Sequence, residues 1–200
     1  MKKDDILESA LDEFATYNYN RASINSIIKN SNTSKGTFYH YFESKEMLYF
    51  ELVELAMKKK IKYLKESKFK IDENKKQSIF EIISNQMHNS INFGLNNPKY
   101  AKFVVKVANE TNIEIKKKTQ RVIEASSDDY LKKLIRNEIS DGKIRDDLPE
   151  DFIYAMFSFM MTHFNDFLIS GEIKIDIKNE DKIMNYIEYY MDFMKNGLSQ

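Results

Sequence analysis

Ile6, Leu7, Ala10, Leu11 and Phe14 recur at intervals of three and four residues. That spacing predicts a first helix from about Lys3 to Tyr17 with one apolar stripe turned inward. Asn18 is expected to end it, because asparagine tolerates the left-handed backbone a helix stop uses. Ser23 is placed to cap a second short helix that reaches Lys29 and buries Ile24, Ile27 and Ile28. After the polar break Asn30-Ser31-Asn32-Thr33, a third helix is expected from about Ser34 to Tyr41. Two short helices around so tight a turn follow the helix-turn-helix plan. A fourth helix starts at Ser44, whose hydroxyl can cap it, and runs to about Ser67.

The helical pattern continues to the end of the chain. It is broken near Asp72-Glu73-Asn74, Asn96-Asn97-Pro98, Ser126-Ser127-Asp128, Asp141-Gly142, Asp147-Leu148-Pro149, and from Ser170-Gly171 to Asn179. With 5 Gly and 2 Pro in 200 residues, the chain is short of the turn formers a β sandwich requires. The expected fold class is all-α with about nine helices. The stretch Phe152 to Ile169 is apolar, but Ser158, Thr162, His163, Asn165 and Asp166 interrupt it, so a buried helix is expected there rather than a membrane span.

Charge and composition remove several alternatives. The absence of Cys excludes disulfides and thiolate chemistry, and fits a reducing cytoplasm. No export signal is expected at Met1-Lys2-Lys3-Asp4-Asp5, and cytoplasmic location follows. His88 and His163 have no partner at metal-ligand spacing, so neither metal nor cofactor is expected. The phosphate-binding, zinc-protease and hydrolase motifs G-x-x-x-x-G-K, G-x-G-x-x-G, H-E-x-x-H and G-x-S-x-G do not occur, which argues against an enzyme. Basic and acidic residues are equal at 31 each. Residues 1–70 carry 13 basic and 10 acidic side chains, so the first third is only slightly basic. Much of that excess is the run Lys58, Lys59, Lys60, Lys62, Lys65, Lys68 and Lys70 on the fourth helix, which reads equally well as a solvated face.

The densest pattern is Ile6-Leu7-x-Ser9-Ala10-x3-Phe14-x4-Tyr19-x2-Ala22-Ser23-Ile24-x2-Ile27, continued by Ser31-Asn32-Thr33-Ser34-Lys35-Gly36-Thr37-Phe38-Tyr39-His40-Tyr41-Phe42-x2-Lys45-Glu46-x-Leu48. It closely resembles the TetR family of bacterial transcriptional regulators over about a quarter of the chain. Asn18 and Asn32 stand where that family usually has glycine, and Ile28 and Thr33 where it usually has alanine and valine. The resemblance implies a helix-turn-helix DNA-binding domain at residues 1–48 and a helical ligand-binding and dimerisation domain at 49–200.

Residue chemistry supports a DNA reader independently. Gly36 lets the start of the third helix approach a duplex closely, where free N–H groups meet phosphate. Lys35 and Lys45 can add phosphate contacts. Thr37, Tyr39 and His40 lie away from Phe38 and Phe42, which are read as core, so they can face the major groove. The resemblance places DNA contacts at Asn25, Ser34, Lys35, Gly36, Thr37, Tyr39, His40 and Lys45, with Ser23 helping at the second helix. Tyr41 reads as packing.

In the C-terminal two thirds, Gly142-Lys143-Ile144-Arg145-Asp146-Asp147-Leu148-Pro149 resembles the family's connection before its penultimate helix. That helix, about Glu150 to Leu168, is apolar around most of its circumference and is expected to be buried on more than one side. The last helix carries two apolar stripes, Ile183-Ile187-Tyr190-Met194 and Tyr186-Tyr189-Phe193. One can pack on its own domain and the other on a second copy. If Ile187 and Tyr190 belong to the interface, charges placed there disrupt it. Met87, Phe93, Phe103, Tyr130, Phe157, Met160, Met161 and Phe164 are candidates to line an adaptable apolar cavity. His163, Asn165 and Asp166 could orient a ligand there or bond across the dimer.

The function these readings favour is a ligand-responsive regulator. It is expected to repress from a palindromic double-stranded operator as a homodimer, to be released by a small, largely apolar effector, and to have no membrane partner. The alternative is a ligand-independent DNA-binding or architectural protein.

Overall fold

The computed structural model describes residues 2–66, 77–124, 130–170 and 179–198. Side chains at 124, 130, 161, 162, 165–170, 180 and 198 fall outside that description, as do the expected breaks at Asp72-Glu73-Asn74 and Ser126-Ser127-Asp128 and residues 171–178 of the break that reaches Asn179. Among the described residues there are ten helices and no strand: α1 Lys2–Thr16, α2 Ile24–Asn30, α3 Lys35–Tyr41, α4 Lys45–Glu66, α5 Ile79–Asn96, α6 Pro98–Ala108, α7 Ile113–Glu124, α8 Tyr130–Ser140, α9 Glu150–Ser170 and α10 Glu180–Leu198.

The tenth helix comes from a break that lacks both Gly and Pro. Asn109 ends α6 by donating both its backbone N–H (3.1 Å) and its side-chain amide (3.0 Å) to the Val105 carbonyl. Asn112 then caps α7, its Oδ1 accepting from the amides of Glu114 (3.1 Å) and Ile115 (3.2 Å). Between them lies Glu110, which is buried.

The chain divides into two compact units, Met1–Ser67 with Ser90–Ser127, and Lys68–Asn89 with Asp128–Gln200. The first is built on one apolar cluster. Ile6, Ala10, Leu11 and Phe14 of α1 meet Ile27, Phe38, Phe42, Leu48, Tyr49, Leu52, Phe103 and Ile115 there. Phe14 is its hub, with Tyr49 edge-on at 5.1 Å and Phe103 at 6.5 Å. In the second unit Ile79, Ile83, Ile135, Ile144, Ile153, Phe157, Ile183 and Ile187 are buried. Glu138 of α8, also buried, accepts from the Ile79 amide at 3.4 Å and from Lys143 Nζ at 2.8 Å.

Asn18 does not take the left-handed conformation expected of it. Its carbonyl accepts from Arg21 and Ala22, both at 3.0 Å, so the chain leaves α1 through a further right-handed turn. Among the described non-glycine residues, positive φ occurs at Asn32 alone, with φ 51°. There it ends α2 as glycine ends other helices. Asn32 N–H donates to Lys29 O and Thr33 N–H to Ile28 O, the paired bonds of a Schellman turn. Gly142, with φ 69°, repeats the arrangement after α8.

The last two helices each bury one apolar stripe within the chain and leave another exposed. On α9, Ile153, Phe157 and Phe164 are buried while Phe152, Met156 and Phe159 are exposed, so only one side is covered within the chain. On α10, Ile183, Ile187 and Met194 are buried and Tyr189 and Phe193 are 66% and 73% exposed. Ile187 therefore belongs to the chain's own core, and Tyr190 donates its hydroxyl to the Met160 carbonyl at 2.8 Å. Burial pushes the Tyr190 phenol up to about 12. Among the described residues no helix is long and apolar enough to cross a membrane.

The lysine run on α4 is not uniform. Lys58 pairs with Glu54, Lys62 with Glu66, and Lys59 sits over the Tyr100 ring at 4.4 Å. Lys60 instead continues the inward stripe of Tyr49, Leu52, Val53 and Ala56, and burial pulls its ammonium below the usual lysine pKa. A lysine with a depressed folded pKa binds fewer protons than the unfolded chain at pH values between its two pKa values. Its penalty is thus fully present below the folded pKa and fades as pH rises from there toward 10.5. Lys60→Met is expected to raise the thermal midpoint at pH 7, by about 2–4 °C for each kcal/mol recovered. The gain over the parent shrinks as pH is raised. Paired melting curves at pH 7 and pH 10 check this, and a lower midpoint for the variant would assign Lys60 a stabilising role.

Candidate nucleic-acid interface

The second helix of the reader is held by the first. Ser23 caps α2 through its hydroxyl, which accepts from Ser26 N–H at 3.4 Å. The stronger hold is Glu13 of α1, whose two oxygens accept from Ser23 N–H at 2.9 Å and from the Ser26 hydroxyl at 2.8 Å. A carboxylate at a helix N-terminus also meets the favourable end of the dipole. One turn earlier on α1, the buried Ser9 hydroxyl donates to Ile27 O at 3.0 Å. The sequence reading does not single out Glu13, although a carboxylate three residues after Ala10 and seven after Ile6 sits on the apolar stripe, and that misfit is the available signal.

The turn into α3 is tied by short hydroxyl bonds. Ser31 and Thr33 hydroxyls lie 2.9 Å apart, and Ser34 Oγ accepts from Thr37 N–H at 3.0 Å. Ser34 and Thr37 side chains are also bonded to each other at 2.9 Å, so each has a local partner. Phe38 and Phe42 are fully buried, as expected, and fix which side of α3 faces inward. At 100° per residue, Gly36 and His40 project opposite them, with Thr37 and Tyr39 on the flanks. Asn25, Ser34, Lys35, Gly36, Tyr39 and His40 are exposed, and Thr37 is half-buried. Tyr41, read as packing, is 37% exposed with its ring edge-on to His40 at 5.0 Å.

Gly36 is not demanded by the chain itself. A methyl group built there would meet only Ser34 Oγ, at an ordinary 3.8 Å. Its usefulness must lie on the outward side.

Lys45 differs from the other cations of the group. Its Nζ donates to Tyr19 O at 2.8 Å and Ala22 O at 3.0 Å, and lies 4.6 Å from the Tyr19 ring centroid. Burial pulls this ammonium below the usual lysine range, with the Glu110 charge opposing. It holds the α1–α2 connection rather than standing free beside α3.

The eight candidate cavity residues do not fall in one unit. Phe93 and Phe103 lie in the first, Phe93 against Tyr63 (5.5 Å) and Tyr100 (6.4 Å), and Phe103 against Phe14 and Tyr49. Met87, Phe157, Met160 and Phe164 lie in the second, where Phe157 meets Phe80 at 6.0 Å and Phe164 meets Tyr190 at 4.8 Å. The side chains of Tyr130, Met161, Asn165 and Asp166 are outside the described residues. His88 and His163 each direct Nδ1–H to a carbonyl one turn back on their own helix, at 2.8 and 2.9 Å. Among the described residues, no group of three His, Cys, Asp or Glu side chains could hold a metal ion.

Residues 6–52, which span α1 to the first half of α4, match the family described as "Bacterial regulatory proteins, tetR family". Over 159 residues the chain is 30% identical to an uncharacterized HTH-type transcriptional regulator of Bacillus subtilis (strain 168), YhgD, covering 78% of each protein. A TetR family transcriptional regulator from Chloroflexus aurantiacus J-10-FL shares the fold with a TM-score of 0.76, at 24% identity, across 100% of this chain and 94% of that one. The regulator FadR from Bacillus subtilis, solved with stearoyl-CoA, gives 0.73 at 17% identity, covering 98% of both chains. These relatives are transcriptional regulators, not enzymes. With a helix-turn-helix built from α2 and α3 and a wholly helical remainder among its described residues, the chain belongs to the TetR family of bacterial transcriptional regulators.

Proposed function

We propose that the protein is a repressor that reads a near-palindromic operator as a homodimer and is released by a small, largely apolar effector. The observation that carries the DNA reading is the outward row of α3. Gly36 and His40 stand opposite two fully buried phenylalanines with Thr37 and Tyr39 on the flanks, and the glycine has no internal reason to lack a side chain. Lys35 and the amides at the start of α3 are the phosphate anchors, exposed Asn25 and Ser34 add polar contacts, and Tyr39 and His40 meet base edges. Ser23 and Lys45 act by holding α2 and the α1–α2 connection.

The glycine separates stability from recognition. Gly36→Ala is expected to stabilise α3 by roughly 0.5–1 kcal/mol, because glycine is the poorer helix former. The same change should cost on the order of tenfold or more in operator affinity, since the new methyl lies where the duplex must approach. Lys35→Ala should lower the salt slope of binding by about one unit for each phosphate left without its cation. Duplexes selected from a random pool, titrated at several salt concentrations, test both. A Gly36→Ala protein that binds as tightly as the parent would refute the assignment of α3.

The second copy is expected on the exposed apolar stripe of α9 and α10. Phe152, Met156 and Phe159 recur at four and three residues, and Tyr189 and Phe193 at four, all exposed. A rim of aromatic residues left in water is a signature of an interface. Phe159→Glu with Phe193→Glu is expected to weaken dimerisation on the order of 100-fold while the chain stays helical. Ile187→Glu instead unfolds it. Sedimentation combined with circular dichroism distinguishes the two, and a dimer unaffected by the double charge would place the interface elsewhere.

The effector reading is supported by the apolar α5 and α9 and by the FadR neighbour solved with stearoyl-CoA. Stearoyl-CoA is therefore the first probe. About 100-fold release corresponds to roughly 2.7 kcal/mol of coupling, and saturating operator must then weaken probe binding by the same factor. Equal probe affinities with and without operator would remove ligand-induced release and favour the ligand-independent alternative.

A further inference from the structure

The connection from α1 to α2 makes a single turn of its own, closed on Asn18 O, and groups distant in sequence hold the rest of its main chain. Tyr19 N–H donates to Glu110 Oε2 at 2.9 Å, across 91 residues. The other Glu110 oxygen accepts from the amides of Thr111 and Asn112, both at 2.9 Å. From the opposite direction Lys45 Nζ takes the carbonyls of Tyr19 and Ala22. Asn112 adds a side-chain bond to Asn20 Oδ1 at 2.9 Å, and Lys118 of α7 reaches Glu46 at the start of α4 at 2.7 Å. Glu110 is 4% exposed, so it is a desolvated carboxylate whose acceptor capacity is spent on main-chain N–H groups.

We propose that Glu110 and Lys45 form a two-sided clasp on the Tyr19–Ala22 connection, and that Glu110 is the positioning residue through which the α6–α7 corner sets the affinity of α2 and α3 for DNA. The inference rests on the reading of α3 as the DNA-recognition helix. Its physical basis is that Tyr19 offers both main-chain groups to the clasp, N–H to the carboxylate and C=O to the ammonium. Ala22, also gripped, directly precedes the Ser23 cap of α2. A displacement of the α6–α7 corner therefore changes where α2 begins. Glu110 is buried and carries no cation, so loosening its side of the clasp lowers affinity while every phosphate keeps its cation.

Three variants test this. Glu110→Gln keeps the shape but puts an amide donor where one carboxylate oxygen accepted, so one of its two sets of N–H partners is left unpaired. Glu110→Asp keeps the charge but withdraws it from Tyr19, and serves if the first variant folds poorly. Lys45→Met opens the other side. Each single change is expected to lower affinity for the selected duplex by about tenfold, the two Glu110 variants at an unchanged salt slope, in contrast to Lys35→Ala. Glu110→Gln combined with Lys45→Met should be little worse than the weaker single variant, because both changes open one device. Amide exchange should quicken at residues 19–22 and through α2 and α3 while α9 is unaffected. Ile144→Val in the second unit provides a mild loss of stability away from the clasp and should leave affinity unchanged. Parent-like operator binding by both Glu110 variants, or losses that simply add in the double variant, would overturn the clasp. A parent and Gly36→Ala pair that bind DNA alike would instead overturn the reading of α3, and the clasp's role in recognition with it.

Discussion

A helix of seven residues does not stand alone in water, because the cost of starting it outweighs the few hydrogen bonds it can close. The reading end of this protein is made of two such helices, α2 and α3, and everything around them supplies what they lack. Phe38 and Phe42 bury one side of α3 so fully that its rotation about its axis is fixed. Serine hydroxyls close the N-termini of α2 and α3, and Asn32 supplies the left-handed residue that allows the turn between them. What remains outward is a row of polar and aromatic side chains around one glycine, on a frame that has little freedom to turn.

Most of that frame is legible in the sequence, because it depends on interactions between near neighbours. The caps at Ser23 and Ser44 follow from residue type and the periodic pattern just after them, and the structure gives each its bond. The burial of Phe38 and Phe42 follows from their spacing of four. Asn18 and Asn32 look alike in sequence, and only the surroundings separate them: Asn18 O is taken by two following amides, which keeps the backbone right-handed. The break between α6 and α7 is hidden because it contains neither glycine nor proline. The roles of Glu13, Lys45 and Glu110 depend on partners 10, 26 and 91 residues away, which no local pattern encodes.

The two apolar stripes of α10 show the limit of periodicity in another way. The pattern establishes that two stripes exist but not which one the chain keeps for itself. The β-branched Ile183 and Ile187 go to the interior, while rings as large as Tyr189 and Phe193 stay outside. Aromatic rings give a broad contact area with few rotatable bonds, so leaving them for association limits the side-chain entropy lost when two surfaces meet.

The hold on the α1–α2 connection is made almost wholly to main-chain atoms: the amides of Tyr19 and Ser23, and the carbonyls of Tyr19 and Ala22. Main-chain groups are the same whatever side chain is attached. Arg21, exposed and in the middle of this segment, can therefore drift through many amino acids in evolution without loosening the grip. The holders have no such freedom, since a carboxylate or an ammonium at their positions has no substitute of equal reach and charge. Selection for an intact reader in this protein should thus fall on residues far along the chain from the segment they protect.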